Sequence, residues 1–304
     1  MIPLSVIGGY LGAGKTTFLN RLLAGDHGLR LAVLVNDFGE VNIDASLIAS
    51  HDGDTYTLTN GCICCSIGDD LSGTLLDIAR SENPPDEVVI EASGVADATR
   101  FATYSGEWIG FGLRGVVVVA DAETIRTKAA DKYVGDLVVQ QLLGADLIIL
   151  NKIDLVGETI VDDIERWLDG LGVEAPVIAT TEADVPFGVL FDRPANDQRL
   201  REANQAANHE AMFATTVVRD DQPWELGRLE AALESLPRSV VRAKGVVRLL
   251  DAAKPQLVQL VGRRWQVTDA PASPDAQTEV VLIAISSDQE VEAVGEAMAT
   301  AARA

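Results

Sequence analysis

The sequence is short of cysteine, histidine and positive charge. It holds 3 cysteines and 3 histidines in 304 residues, and its 24 Lys and Arg are outnumbered by 46 Asp and Glu, for a formal net charge of −22. A surface this acidic repels nucleic acid and anionic membranes. We therefore expect neither of them as a partner.

Long apolar runs are also missing, although 47% of the residues are hydrophobic, which is enough for a sizeable core. No run approaches the roughly 18 apolar residues that a membrane-spanning helix needs. The N-terminus lacks the charged, apolar and cleavage regions of a secretory signal. The three cysteines, Cys62, Cys64 and Cys65, are confined to one short stretch, whereas a secreted disulfide framework would spread them out. We expect a cytoplasmic protein.

What the sequence does contain begins with a glycine-rich stretch, Gly9-Tyr-Leu-Gly-Ala-Gly-Lys-Thr-Thr17, which matches G-x-x-x-x-G-K-[ST]. We call residues 9–16 the phosphate loop. Its glycines let successive backbone N–H groups point at phosphate oxygens, its lysine adds a point charge, and its Thr16 hydroxyl is placed to bind Mg²⁺. A predicted strand at 3–7 and a predicted helix at 15–24 flank it in the required order. The alternative is an ordinary glycine-rich turn. The expected nucleotide contacts are Gly9, Gly12, Ala13, Gly14, Lys15, Thr16 and Thr17.

Acidic residues follow two further apolar strands, where open α/β sheets bind their ligands. Asp37 and Glu40 come after the strand predicted at 31–36, either as a nucleotide-sensing loop or as a solvated acidic loop. Glu91 ends the strand predicted at 87–91 and is expected to hold Mg²⁺ directly or through water, while the Gly94 backbone approaches the γ-phosphate.

A second specific motif, Asn151-Lys-Ile-Asp154, follows the strand predicted at 146–150. The Asp154 carboxylate can accept from both N1–H and the 2-amino group of guanine, a donor pair that adenine lacks. Asn151 would fix the loop and reach the base, and Lys152 would lie along the base plane. The alternative is a solvated polar turn.

The cysteines stand in C-x-C-C order and can converge on one soft cation, because thiolates suit Zn²⁺, Cu(I) and similar metals. Three thiolates leave a tetrahedral site one ligand short. Water or one of four side chains could complete it, namely Glu40, Asp37, His27 and His51. Two alternatives remain open. The cysteines could be three small buried residues in a turn, or two of them could form a redox pair, although redox motifs have C-x-x-C order.

Strand and helix patterns divide the chain into a P-loop domain at 1–195, a polar linker at 196–208 and a smaller α+β domain at 209–304. Alternation of strands and helices before residue 180 predicts a mostly parallel sheet flanked by helices. Strands are predicted at 3–7, 31–36, 55–58, 87–91, 115–121, 146–150, 177–180, 211–218, 239–250, 256–262, 264–268 and 279–285. Helices are predicted at 15–24, 68–81, 132–143, 224–236 and from 288 to the end, the last capped by Ser287 or Asp288.

Taken in order, these motifs resemble those of the CobW-type GTPases, a branch of the P-loop GTPases related to the nickel-insertion GTPases of urease and hydrogenase. The resemblance covers essentially the whole chain, and the C-x-C-C stretch is its most specific part. The departures are Tyr10 for the usual Phe, Asp37 for a common Glu, Ser93 for a common Thr, and a lone His209 where many members carry a His-rich tract.

The resemblance implies a cytoplasmic metallochaperone that binds Zn²⁺ or Co²⁺ through the cysteines more tightly with Mg²⁺ and GTP bound, hydrolyses GTP slowly, and releases the metal to a client metalloprotein. We expect a monomer or a homodimer. The resemblance assigns the transition metal to Cys62, Cys64 and Cys65, and we select Glu40 from the candidates for the fourth ligand. We expect Lys15, Thr16, Glu91 and Asp37 to act in hydrolysis, and Thr16, Asp37 and Glu91 to hold Mg²⁺. Two other functions remain open. One is a nucleotide-dependent switch that binds a partner, and the other is a small-molecule kinase with structural cysteines.

Overall fold

The computed structural model of the chain describes residues 1–25, 28–35, 55–57, 69–94, 110–191, 213–270 and 277–303. These residues form two compact units, Met1–Val185 and Pro186–Ala304. Several predictions fall outside the described residues: the loop with Asp37 and Glu40, the cysteine stretch, the linker, and all three histidines. Among the described helices, none has both the length and the apolar character needed to cross a membrane.

Seven parallel strands of the described residues form the sheet of the first unit. They are β1 (Ile2–Gly8), β2 (Leu31–Val35), β3 (Thr55–Thr57), β4 (Glu87–Glu91), β5 (Phe111–Asp121), β6 (Leu147–Asn151) and β7 (Val177–Ala179). Their order is β3-β2-β4-β1-β5-β6-β7, with every neighbouring pair parallel. The central strands are apolar runs buried on both faces, as parallel strands between helices require. The predicted α/β class is confirmed.

The helices of this unit connect successive strands. Those that the structure describes are α1 (Lys15–Ala24), α2 (Asp69–Arg80), α3 (Ile125–Ala129), α4 (Gly135–Leu143) and α5 (Glu158–Leu171). The bounds of α1 are as predicted, α2 agrees within one residue at each end, and α4 begins three residues later than predicted, at Gly135. Helices α3 and α5 are absent from the sequence-based predictions. Helix α5 buries Ile164 and Leu168 against the core, so it is an integral part of the unit.

The second unit is built on a five-stranded antiparallel sheet. Its elements are α6 (Phe187–Leu190), β8 (Ala214–Asp220), α7 (Leu226–Glu234), β9 (Val240–Val247), β10 (Gln256–Val261), β11 (Arg264–Asp269), β12 (Thr278–Ala284) and α8 (Asp288–Ala302). The strand order is β11-β10-β9-β12-β8. The predicted C-terminal α+β domain is confirmed. The prediction that its first long helix begins at Trp224 is wrong, because Trp224 forms β-bridges to Leu249 and Arg303 and α7 begins at Leu226.

The last helix has the predicted cap. The Ser287 hydroxyl accepts from the Glu290 N–H, and the Glu290 carboxylate accepts from the Ser287 N–H at 3.0 Å, which is a capping box. Helix α6 is grouped with the second unit, where Arg242 Nη1 donates to the Val189 carbonyl at 3.2 Å. The predicted domain limits, 1–195 and 209–304, stay a prediction because the linker lies outside the described residues.

Candidate nucleotide-binding site

The phosphate loop joins the carboxyl end of β1 to the start of α1, at the centre of the parallel sheet. Gly9 and Gly14 take φ angles of 130° and 107°, which side chains disfavour. A Cβ on Gly9 would lie 2.1 Å from the Val119 carbonyl oxygen of β5. Glycine at this position therefore lets the loop pass directly over the neighbouring strand.

Lys15 is the positive charge of this loop and is only 8% exposed. Its Nζ donates to the Gly9 carbonyl at 3.0 Å, so the side chain folds back along the loop. Gly14 caps α1 without a side-chain hydrogen bond, which leaves the first helical N–H groups to other acceptors. Those N–H groups, the helix dipole and the lysine together fit a phosphate. Within and just after the loop, Ala13 is buried, Thr16 is half-buried, and Gly12 and Thr17 are exposed.

The strand that carries Glu91 lies directly beside β1. Glu91 pairs in register with Ile7 and is 3% exposed, and the Ala92 N–H donates to the Ile7 carbonyl at 2.9 Å. Beyond it, a Cβ on Gly94 would lie 2.8 Å from the backbone nitrogen of Leu11. The structure therefore places Gly94 against Leu11 of the phosphate loop and Glu91 beside the end of β1, while their roles toward Mg²⁺ and phosphate stay predictions.

Asn151 ends β6 and connects two loops. Its Nδ2 donates to the Ala13 carbonyl at 3.0 Å, and its Oδ1 accepts from the Ala183 N–H at 2.7 Å. The side chain is thus shared between the phosphate loop and the loop after β7. Asp154 lies in the short 3₁₀ turn Ile153–Leu155 and is exposed, so its carboxylate is available to a ligand.

Lys152 also contacts the phosphate loop. Its Nζ donates to the Gly12 carbonyl at 2.8 Å and lies 2.6 Å from Asp121 Oδ2. The role of Asp121 was not predicted from sequence. The signal that could have indicated it is an acidic residue at the end of β5, in register with Asn151 of β6.

Strained backbone is concentrated around Asn151. Among the described residues, the non-glycine positions with positive φ are Lys152, Glu182 and Ala183. Arg21 of α1 reinforces this region by pairing with Glu182 at 2.8 Å and with Asp184 at 3.4 Å. Such conformations persist where surrounding contacts fix them, and they cluster at ligand sites. This strain was not foreseen from sequence either.

The predicted metal ligands cannot be placed in the same way. Within the described ranges, no group of three or more His, Cys, Asp and Glu side chains is arranged to hold a metal ion. Cys62, Cys64, Cys65, Glu40 and Asp37 lie outside those ranges, so the C-x-C-C site stays a prediction.

Comparison with known proteins agrees with this geometry. A model for the CobW/HypB/UreG nucleotide-binding domain matches residues 3–179, and a model for the cobalamin synthesis protein cobW C-terminal domain matches residues 213–301. Zinc chaperone YjiA from Escherichia coli is 32% identical over 253 residues, which are 77% of each chain.

Two further relatives align over similar lengths. Zinc chaperone CobW from a Sinorhizobium species is 29% identical over 86% of both chains. Zinc-regulated GTPase metalloprotein activator 1 from Dictyostelium discoideum is 29% identical over 84% of this chain and 64% of its own. The chain therefore belongs to the CobW/HypB/UreG family of nucleotide-binding proteins and carries a CobW C-terminal domain.

Proposed function

We propose that this protein is a GTP-binding and GTP-hydrolysing metallochaperone. It binds Zn²⁺ or Co²⁺ through Cys62, Cys64 and Cys65 in a nucleotide-dependent way and delivers the metal to a client metalloprotein. The observation that carries the proposal is a contact between the two nucleotide motifs. Asn151 and Lys152 of the second motif both donate hydrogen bonds to carbonyl groups of the phosphate loop. The names of the relatives support a metal-handling GTPase.

Guanine is the base that this site favours. Asp154 is exposed next to residues that clamp the phosphate loop, and its carboxylate would accept both guanine donors. Thr16 and Glu91, with Asp37, would hold the Mg²⁺ that neutralises phosphate charge when the triphosphate is bound. Lys15 and the first N–H groups of α1 bind and orient the phosphates.

Chain order supports the proposed coupling of metal to nucleotide. Strand β3 ends at Thr57 parallel to β2, and the cysteine stretch follows it before α2 begins at Asp69. The carboxyl ends of parallel strands share one edge of the sheet, which is also the edge of the phosphate loop and Glu91. A segment ordered by the γ-phosphate and Mg²⁺ would present its thiolates to metal in one nucleotide state. Linkage then requires metal to tighten GTP binding equally.

A chelator-competition titration tests this proposal. Zn²⁺ and Co²⁺ are titrated into reduced protein with Mg²⁺ and either a non-hydrolysable GTP analogue or GDP. We expect at least tenfold tighter metal binding with the analogue, a coupling of about 1.4 kcal/mol. Equal affinity in the two states would overturn nucleotide gating and favour a partner-binding switch or a kinase with structural cysteines.

Three variants test separate parts of the proposal. Cys64→Ser should lose tight metal binding and keep its GDP affinity, with Ser66→Ala as the control. Lys15→Ala should abolish tight triphosphate binding. Asp154→Asn should weaken GTP and favour xanthosine triphosphate, whose 2-oxo group accepts where guanine donates. Retained guanine preference in Asp154→Asn would contradict the assignment of the base site.

A further inference from the structure

The second unit contains a groove of about 500 Å³ beside its edge strand. Helix α7, the loop at 249–254 and strands β10 and β11 surround it. Its apolar lining comes from Leu226, Leu249, Trp265 and Val267. Leu226 is 44% exposed, and the other three are half-buried and pack against the domain core. The groove therefore offers an apolar surface that the core beneath it holds in place.

Strand β11 gives the groove a backbone edge. It is terminal in the sheet order, and β10 is the one described strand that pairs with it. An extended peptide can add to such an edge through main-chain hydrogen bonds, with alternate side chains entering neighbouring pockets. Because Trp265 and Val267 are two residues apart, they lie on the same face of the strand. They would contact alternate side chains of that peptide.

The charge of the groove indicates which kind of segment can bind in it. Among the described residues that line it, the charged groups are the carboxylates of Glu230, Asp251 and Asp269 and the ammonium group of Lys254. Lys254 Nζ lies 3.6 Å from Asp269 Oδ2, so this pair largely offsets itself. Glu230 and Asp251 are left to meet a cation. A second copy of the chain, with a net charge of −22, is a poor electrostatic match for this acidic groove.

We propose that this groove docks an extended segment of a partner protein, in which an apolar side chain is flanked by lysine or arginine. The apolar side chain packs on Trp265 and Leu226, and the cationic side chains meet Glu230 and Asp251. Identifying the partner with the client rests on the proposed function. The groove itself does not, since none of the described residues that line it belongs to the nucleotide site.

The test uses the full chain and two matched acetylated peptides, Gly-Lys-Val-Leu-Val-Lys-Gly and Gly-Glu-Val-Leu-Val-Glu-Gly. The readout is the indole N–H resonance of Trp265 in protein labelled with ¹⁵N-tryptophan, assigned through Trp265→Phe. We expect the lysine peptide to shift this resonance saturably and the glutamate peptide to leave it in place. Shifts of equal size with both peptides, or with neither, would overturn the proposal.

Variants locate the contact. Glu230→Gln combined with Asp251→Asn should weaken binding of the lysine peptide at least fivefold, and Leu226→Ala should weaken its binding severalfold. The charge-matched control combines Glu234→Gln with Asp221→Asn, two exposed residues that do not line the groove. Equal loss in this control would overturn the proposed contact.

Two further measurements separate the outcomes. A Trp265 resonance that shifts with protein concentration alone would show that a second copy occupies the groove, against the proposal. Nucleotide-gated metal affinity is measured on the same samples. If the lysine peptide binds but metal affinity does not depend on the nucleotide, the proposed function is wrong and the docking proposal stands. If metal affinity depends on the nucleotide but the peptide does not bind, the docking proposal alone is wrong.

Discussion

Lys152 Nζ lies 2.6 Å from Asp121 Oδ2 and donates to the Gly12 carbonyl at 2.8 Å. The pair joins the ends of β5 and β6 to the phosphate loop. The carboxylate is itself fixed, because Asp121 Oδ1 accepts from the Glu123 N–H at 2.9 Å. The two side chains are 32% and 11% exposed, so water screens the pair only in part. Asp121 thus positions the Lys152 side chain against the phosphate loop.

Asp121→Ala should therefore weaken GDP and GTP about tenfold to a hundredfold, since hydrogen bonds to charged groups contribute about 1.5–3 kcal/mol. Guanine preference should survive because Asp154 remains. The measurement is a titration with fluorescent GDP, GTP and xanthosine diphosphate, and Glu123→Gln is the control. Unchanged GDP affinity, or a switch of base, would contradict the positioning role.

A second prediction compares two glycines of the phosphate loop. A Cβ on Gly14 would lie 2.3 Å from Asn151 Nδ2, so Gly14→Ala must displace the side chain that holds Ala13 and Ala183. A Cβ on Gly12 meets nothing within 4 Å, and Gly12→Ala adds only the strain of its φ of 80°. That strain is about 1–2 kcal/mol.

Gly14→Ala should therefore increase the rate of GDP dissociation at least tenfold more than Gly12→Ala does. Stopped-flow release of fluorescent GDP measures both rates. Asn151→Ala is the matched comparison, because it removes the same contacts without a clash. Equal rates for the two glycine variants would show that Asn151 does not hold the loop.

The order of elements in the first unit could be predicted because buried parallel strands form compact apolar runs. Strand β4 and helix α1 have the predicted bounds. Helix α5 could also have been predicted, since Val161, Ile164 and Leu168 repeat at helical spacing and pack on the core. Acidic residues around this narrow stripe, including Asp162 and Asp169, make the segment look like a polar loop.

The side-chain pairs could not be predicted in the same way, because they depend on which strands are neighbours. Asp121 meets Lys152 only because β5 lies beside β6. Glu87 of β4 and Arg114 of β5 meet across β1, which lies between these two strands and carries the small Ser5 at this position. The positive φ angles of Glu182 and Ala183 also have no local signal, since neither residue favours that conformation.

That second pair leads to a prediction about stability. Glu87 and Arg114 lie 3.0 Å apart with side chains 2% and 5% exposed, and the Ser5 hydroxyl donates to Glu87 at 2.7 Å. Removing one partner leaves the other charge in the interior. Arg114→Met should therefore lower the free energy of unfolding by about 3–5 kcal/mol. Adding Glu87→Gln should restore part of the lost stability.

Urea unfolding of the first unit measures these changes. Arg30→Met is the matched control, because Arg30 pairs with Asp86, the neighbour of Glu87, at 3.4 Å on the surface. This exposed pair should contribute no more than about 1 kcal/mol. A double variant that costs the full sum of its two single changes would mean that Glu87 and Arg114 do not stabilise each other.

Asp220, the last residue of β8, connects Trp224 to Arg303 near the end of the second unit. Burial alone would raise the pKa of Asp220, but hydrogen bonds from Arg303 Nε at 2.6 Å and Trp224 Nε1 at 3.0 Å outweigh it and hold that pKa below its ordinary value. A carboxyl group with a lower pKa in the folded chain adds stability above its unfolded pKa of about 3.9. That stability is lost as the pH falls through the folded pKa.

Asp220→Asn should therefore lower the free energy of unfolding of the second unit by about 1–3 kcal/mol near neutral pH, because it replaces a charge-assisted contact to Arg303 by a neutral one. The difference from the unmodified chain should shrink as the pH falls below about 4, because the carboxyl group of the unfolded chain takes up its proton first, and it should be lost as the pH falls through the lower folded pKa. Urea midpoints are followed through the indole N–H resonance of Trp224, which reports directly on this contact. Asp221→Asn, at the exposed neighbouring position, should leave the midpoint unchanged. A difference as large at pH 3 as at pH 7 would show that packing, not the charge of Asp220, holds this part of the domain together.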